Sequence, residues 1–87
     1  MTETAAVSAE QVLETFRNEL KGFEVNPEQV SADSSFDALG LDSLDIVELS
    51  VRVEDVYGID IEEDDLEGVA TIGNAIDVVL AKIAASA

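Results

Sequence analysis

In the last third of the chain the apolar residues Ile72, Ala75, Ile76, Val79 and Ile83 recur at intervals of three and four. That spacing follows the turn of an α-helix, about 3.6 residues, and puts all five on one face. Two other stretches repeat the pattern. Val12, Leu13, Phe16 and Leu20 share a face in "SAEQVLETFRNELKG", and Ile46, Leu49, Val53, Val56 and Tyr57 share one in "DSLDIVELSVRVEDVYG". No segment alternates apolar and polar residues long enough to compete as a strand, and "YGIDI" is too short to matter. Three apolar stripes in 87 residues must be buried against one another. The expected fold is therefore all-α: a small four-helix bundle of three longer helices and one short one, with a long first loop.

Punctuation residues set the boundaries. Ser8 with Gln11 forms a capping-box pattern for the first helix, and Gly22 suits a left-handed stop. The second helix starts near Asp42 or Ser43 and stops at Gly58; "IDIEEDDLEG" holds at most a short third helix ending at Gly68; Thr71 suits the cap of the last. The crossover, about residues 23–41, contains Asn26-Pro27, a one-turn signal, and Phe36 and Leu39 as anchors into the core. Residues 1–7 are expected to be a flexible tail, residues 8–85 the folded domain, and the closing "AASA" a loose end. No apolar run approaches the roughly 20 residues that span a bilayer. The opening "MTETAAVSAE" lacks the basic start and apolar core of a signal peptide, so a cytoplasmic monomer is the expectation.

Twenty acids against four bases give a net charge of −16. That charge repels nucleic acid and anionic membranes, and a partner drawn by long-range attraction must carry a basic patch. On a helical wheel Leu44, Val47 and Val51 gather opposite the core stripe of the second helix, rimmed by Asp45, Glu48, Glu54 and Asp55. A surface helix needs one apolar face. The second strip is either a docking surface or a set of side chains covered by the short third helix, and the apolar positions alone leave both open. The acids favour docking. Glu54 and Asp55 lie in the last turn, where the helix dipole disfavours anions by about 0.3–1 kcal/mol each. Asp60, Glu62, Glu63, Asp64, Asp65 and Glu67 follow, with Arg52 the sole base between Asp42 and Glu67. This acidic run is not an EF-hand. Counted from Asp60, Asp65 stands where that loop needs glycine and Thr71 where it needs glutamate, leaving only loose divalent binding and no specific metal site.

Ser43 is the remaining candidate for chemistry. A chain without histidine or cysteine, and without a lysine near position 43, has no base to make that serine a nucleophile. "GLDSL" also lacks the second glycine of a nucleophile elbow. Two roles stay open: a plain helix cap, or an attachment point whose phosphate ester would sit beside free amides at the positive end of the helix.

"LGLDSLDIVEL" resembles the attachment motif of acyl carrier proteins, a D-S-L core followed by an acidic, apolar recognition helix. The similarity extends upstream to Phe36 and Leu39 and downstream to "VEDVYGIDI" and "VATIGNAIDVV". The resemblance implies a carrier and not an enzyme. Ser43 would receive a covalent 4′-phosphopantetheine arm from coenzyme A through a separate phosphopantetheinyl transferase, and the thiol of the arm would hold acyl intermediates as thioesters. Asp42, Leu44, Asp45, Glu48, Val51, Glu54 and Asp55 match positions that dock ketosynthase, acyltransferase and other synthase enzymes. Leu49, Val53, Ile61, Ala75 and Ile76 match the lining of an acyl-chain pocket, although plain core packing uses the same residue types. "SFDALGLDSL" is one residue shorter than the fatty-acid pattern S-F-V-E-D-L-G before D-S-L and is more similar to free-standing polyketide carriers, whereas "DSLDIVEL" is close to the fatty-acid form. The resemblance thus implies a discrete polyketide-type carrier first, a fatty-acid carrier second and an aminoacyl carrier third. The alternative from another class is an acidic interaction module with no prosthetic group.

Overall fold

The computed structural model describes residues 7–86, with side chains through residue 85. The expected tail thus lies outside the described residues except for Val7, which packs against the core. Helix α1 spans Ala9–Leu20, α2 Ser43–Tyr57, α3 Glu63–Leu66 and α4 Ile72–Ser86. Single 3₁₀ turns at Lys21–Phe23 and Pro27–Gln29 interrupt the long crossover. Helix α1 packs on α2 and α4, and α3 lies against α4. The core takes Val12, Phe16 and Leu20 from α1, Leu49 and Val53 from α2, and Ile72, Ala75, Ile76 and Val79 from α4. Loop residues contribute too: Val25, Val30, Phe36, Leu41 and Ile59 are all buried.

The start of α1 is the reciprocal box expected, with the Gln11 amide donating to Ser8 Oγ at 3.2 Å and the Ser8 amide donating to Gln11 Oε1 at 2.9 Å. Its end departs from expectation. The left-handed residue is Glu24 (φ 64°), not Gly22. One further turn brings half-buried Phe23 onto the core and buries Val25, which outweighs the 1–2 kcal/mol, roughly, that a side chain costs in that conformation.

Val56 departs too. It is 51% exposed, because the last turn of α2 faces α1 through Tyr57, whose hydroxyl lies 2.7 Å from Thr15 Oγ1. The closing "AASA" is helical through Ser86 rather than a loose end.

The crossover is stitched to the head of α4. A lone antiparallel bridge joins Ser35 and Thr71, and the amides of Ile72 and Gly73 donate to Ser34 O and Ala32 O at 2.9 and 2.8 Å. Those amides belong to the first turn, which has no partners within its own helix. Thr71 Oγ1 caps the next, Asn74, at 3.1 Å. The loop comes so close that a Cβ on Gly73 would lie 2.9 Å from Ala32 O.

Candidate functional site

The chain turns onto α2 through Gly40, which is left-handed (φ 79°), and buried Leu41, whose amide donates to Phe36 O at 3.0 Å. Asp42 then caps the helix. Its Oδ1 accepts from the Asp45 amide at 2.9 Å, and Asp45 Oδ2 accepts from the Asp42 amide at 3.2 Å. A carboxylate there gains both a hydrogen bond and the attraction of the helix dipole. Ser43 is therefore not the cap; it is the first residue of the helix and is exposed.

The other serine hydroxyls among the described side chains are engaged. Ser8 Oγ caps α1, Ser31 and Ser34 bond each other, Ser35 Oγ accepts from the Ala38 amide, and Ser50 Oγ donates to Val47 O at 2.6 Å. The Ser43 hydroxyl makes no hydrogen bond to the described residues, and neither do the amides of Ser43 and Leu44. A tetrahedral phosphate ester fits that setting: an accessible oxygen on the first turn of a long helix, with unpaired N–H groups beside it. The Asp42 carboxylate opposes a phosphate, so the site suits a singly charged diester.

Beyond Ser43 the outer strip of α2 is open. Leu44 is 78% exposed, Val51 51% and Val47 41%. Asp42, Glu48 and Asp55 are exposed around it. Asp45 and Glu54 are drawn inward: Asp45 into the capping box, and Glu54 to the Ile61 amide, which donates to its Oε2 at 2.7 Å. Val47 also flanks a shallow groove with Glu63, Asp64, Leu66 and Glu67.

Among the candidate pocket residues, Leu49, Val53, Ile61 and Ala75 share the wall of a cavity between α1, α2, α4 and the loops, with Phe16, Phe36, Ile46, Ser50, Leu66, Val78 and Val79. Ile76 is buried in the core but does not reach that wall. The cavity leaves about 20 Å³ to the centre of a water-sized sphere, room for roughly one water. Its wall has no polar surface, because the Ser50 hydroxyl is turned onto the helix backbone.

An ion pair joins α3 to α4. Asp65 Oδ2 lies 2.8 Å from Lys82 Nζ and also accepts from the Glu62 amide at 2.9 Å. The Lys82 hydrogen bond, then the Glu62 amide, hold the Asp65 carboxyl below the usual aspartate range, and the same pair raises Lys82. Sequence reasoning missed Ser50 and Lys82. The signals were there: Ser50 follows Ile46 by four residues and precedes Val53 by three, at the edge of the core stripe, and Lys82 is the one base of α4. No group of three or more acids among the described residues is placed to hold a metal ion.

The family model for the phosphopantetheine attachment site matches residues 10–79. The chain belongs to the acyl carrier protein family. It is a carrier of covalently attached 4′-phosphopantetheine and not an enzyme. An acyl carrier protein from Sulfurovum sp. is 47% identical over 53 residues, 60% of this chain and 71% of that protein. One from Rhodococcus erythropolis is 42% identical over 53 residues, 60% of this chain and 58% of its own length. The chloroplastic acyl carrier protein 1 of spinach is 46% identical over 50 residues, 58% of this chain and 36% of its own length. The fold matches the crystal structure of an acyl carrier protein from Thermotoga maritima with a TM-score of 0.83 at 22% identity, over 91% of this chain and 94% of that one. Among the described residues no helix is long and apolar enough to cross a membrane.

Proposed function

We propose that Ser43 is the residue that carries the arm. The observation behind this reading is the exposed Ser43 hydroxyl, without a hydrogen-bond partner among the described residues, on the first turn of α2. With coenzyme A held by a separate phosphopantetheinyl transferase, Ser43 Oγ attacks the β-phosphate. The Oγ–P bond forms, the bond to the adenosine bisphosphate breaks, and the serine proton passes to a base on the transferase. Once attached, the arm supplies a thioester-forming thiol that a chain without cysteine lacks. Asp42 orients the first turn that presents Ser43. Leu44, Glu48, Val51 and Asp55 form the surface a transferase or synthase enzyme with a basic patch would grip, ketosynthase and acyltransferase among them. Asp45 and Glu54 contribute charge while holding backbone amides. A cytoplasmic setting belongs to the same proposal, since coenzyme A and the transferase must share the compartment.

Incubating the protein with coenzyme A and a promiscuous transferase should add one phosphopantetheine to its intact mass, and none to Ser43→Ala. No gain with transferases of differing specificity would leave an acidic interaction module as the better reading.

The first cargo reading is a discrete polyketide carrier, supported by the short loop "SFDALGLDSL". The wholly apolar cavity wall favours the second, a fatty-acid carrier, because a β-keto chain placed there would leave each carbonyl unpaired at a cost of about 1–3 kcal/mol. Comparing which acyl thioesters the holo protein retains in its own cells separates the two.

A further inference from the structure

Among the described residues Ser50 is the one polar residue that the bundle buries. It is also the one polar residue on the wall of the cavity, where Phe16, Phe36, Leu49, Val53 and Val79 are among its neighbours. Packing does not call for a hydroxyl there. Serine inside a helix is a poorer helix former than alanine, which fills nearly the same space. The hydroxyl's present acceptor does not need it either. Ser50 Oγ donates to Val47 O at 2.6 Å, yet a carbonyl within a helix already accepts the amide four residues on. A serine bonded back onto its own helix slightly weakens that helix. The hydroxyl is therefore parked on an oxygen that loses little when it leaves. Rotation about Cα–Cβ to another staggered position takes it off Val47 O. From its place on the wall it is then the one side-chain donor that a molecule in the cavity would meet.

We propose that Ser50 is a specificity-determining residue for the carried chain: its hydroxyl turns from Val47 O to donate to a single oxygen on an acyl group in the cavity. The class it selects is a chain with one keto or hydroxy group beyond the thioester. A fully reduced chain needs no donor and is held by apolar contact alone. A chain with several carbonyls finds a partner for one and buries the others without hydrogen bonds, which is costly. The proposal rests on the carrier reading, because the chain must be tethered through Ser43 to be held there. Loading of the arm is read by mass and discrimination by Ser50 is read by NMR, so the two fail separately.

For the test, a promiscuous transferase loads the full chain and its Ser50→Ala variant from octanoyl- and 3-oxooctanoyl-coenzyme A, the second labelled with carbon-13 at its keto carbon. Intact mass confirms each arm. Methyl chemical shifts of Leu49, Val53 and Val79 then give the ratio of buried to free chain. For octanoyl, Ser50→Ala should leave that ratio nearly unchanged. For 3-oxooctanoyl it should lower the ratio about two- to tenfold, the scale of one net hydrogen bond. The keto-carbon resonance should lie downfield in the unsubstituted protein, where the ketone accepts a hydrogen bond, and move upfield in Ser50→Ala. An equal fall for both cargoes would make Ser50 a packing residue and overturn the assignment. So would a 3-oxooctanoyl ratio or a keto-carbon resonance that the substitution does not move. An arm that never loads would refute the carrier reading and this proposal with it.

Discussion

Replacing Asp42 by alanine separates the residue that builds the head of α2 from the one presented there. The substitution removes the oxygen that accepts from the Asp45 amide at 2.9 Å, while Asp45 can still accept from the amide of residue 42. Loss of such a cap costs about 1 kcal/mol, with a range of roughly 0.5–2. In a domain of this size each 1 kcal/mol moves the midpoint of thermal unfolding by about 4–8 °C. Asp42→Ala also relieves a little of the −16 net charge, which offsets part of the loss. Asp42→Asn isolates that part, because it drops the charge and keeps the oxygen. Ser43→Ala removes a hydroxyl that bonds nothing among the described residues and puts a better helix former at the first helical position. Thermal unfolding followed by far-UV circular dichroism should therefore show Asp42→Ala about 4–8 °C below the unsubstituted protein, with Asp42→Asn between. Ser43→Ala should match the unsubstituted protein or lie slightly above it. If Ser43→Ala falls as far as Asp42→Ala, the serine is a structural cap and the division of labour drawn here is wrong.

Gly73→Ala should destabilise by about 1–3 kcal/mol in urea unfolding, since its Cβ would sit 2.9 Å from the carbonyl that its own amide bonds; a neutral result would mean the crossover is not seated on α4. Asp65 should titrate by NMR below the usual aspartate range and move back up in Lys82→Gln. Because its folded pKa is depressed, its contribution to stability is present above the unfolded value, about 3.9, and is lost as pH falls through the folded one. For Lys82, raised by the same pair, the contribution is present below its unfolded value and is lost as pH rises through the folded one. Leu44→Ala should leave the unfolding midpoint within a degree or two, since Leu44 is 78% exposed, yet slow transfer of the arm by roughly tenfold if its burial against the transferase contributes about half of a leucine's transfer energy.

The helices were legible because their apolar spacing and their caps agree. Ser8, Gln11, Asp42, Gly58 and Thr71 all sit where local hydrogen bonding wants them, and no competing strand period exists. What one helix at a time cannot reveal is what covers it. Val56 belongs to the core stripe by angle, but α1 reaches only as far as Tyr57, so it is left half in water. Glu24 takes the left-handed turn assigned to Gly22 because the pull comes from burying Phe23 and Val25, a tertiary gain invisible to a propensity argument. At the site, the exposed strip Leu44, Val47 and Val51 could be read from the wheel. The engagement of Glu54 with Ile61 and of Asp65 with Lys82 could not, since both depend on how residues 59–68 fold back across the bundle.

The most direct measurement is tandem mass spectrometry of the protein taken from its own cells while its pathway is running. A phosphopantetheine ester should be localised to the peptide residue Ser43, with acylated forms beside it. A peptide that is wholly unmodified at Ser43, or an arm found on any other side chain, would contradict the assignment.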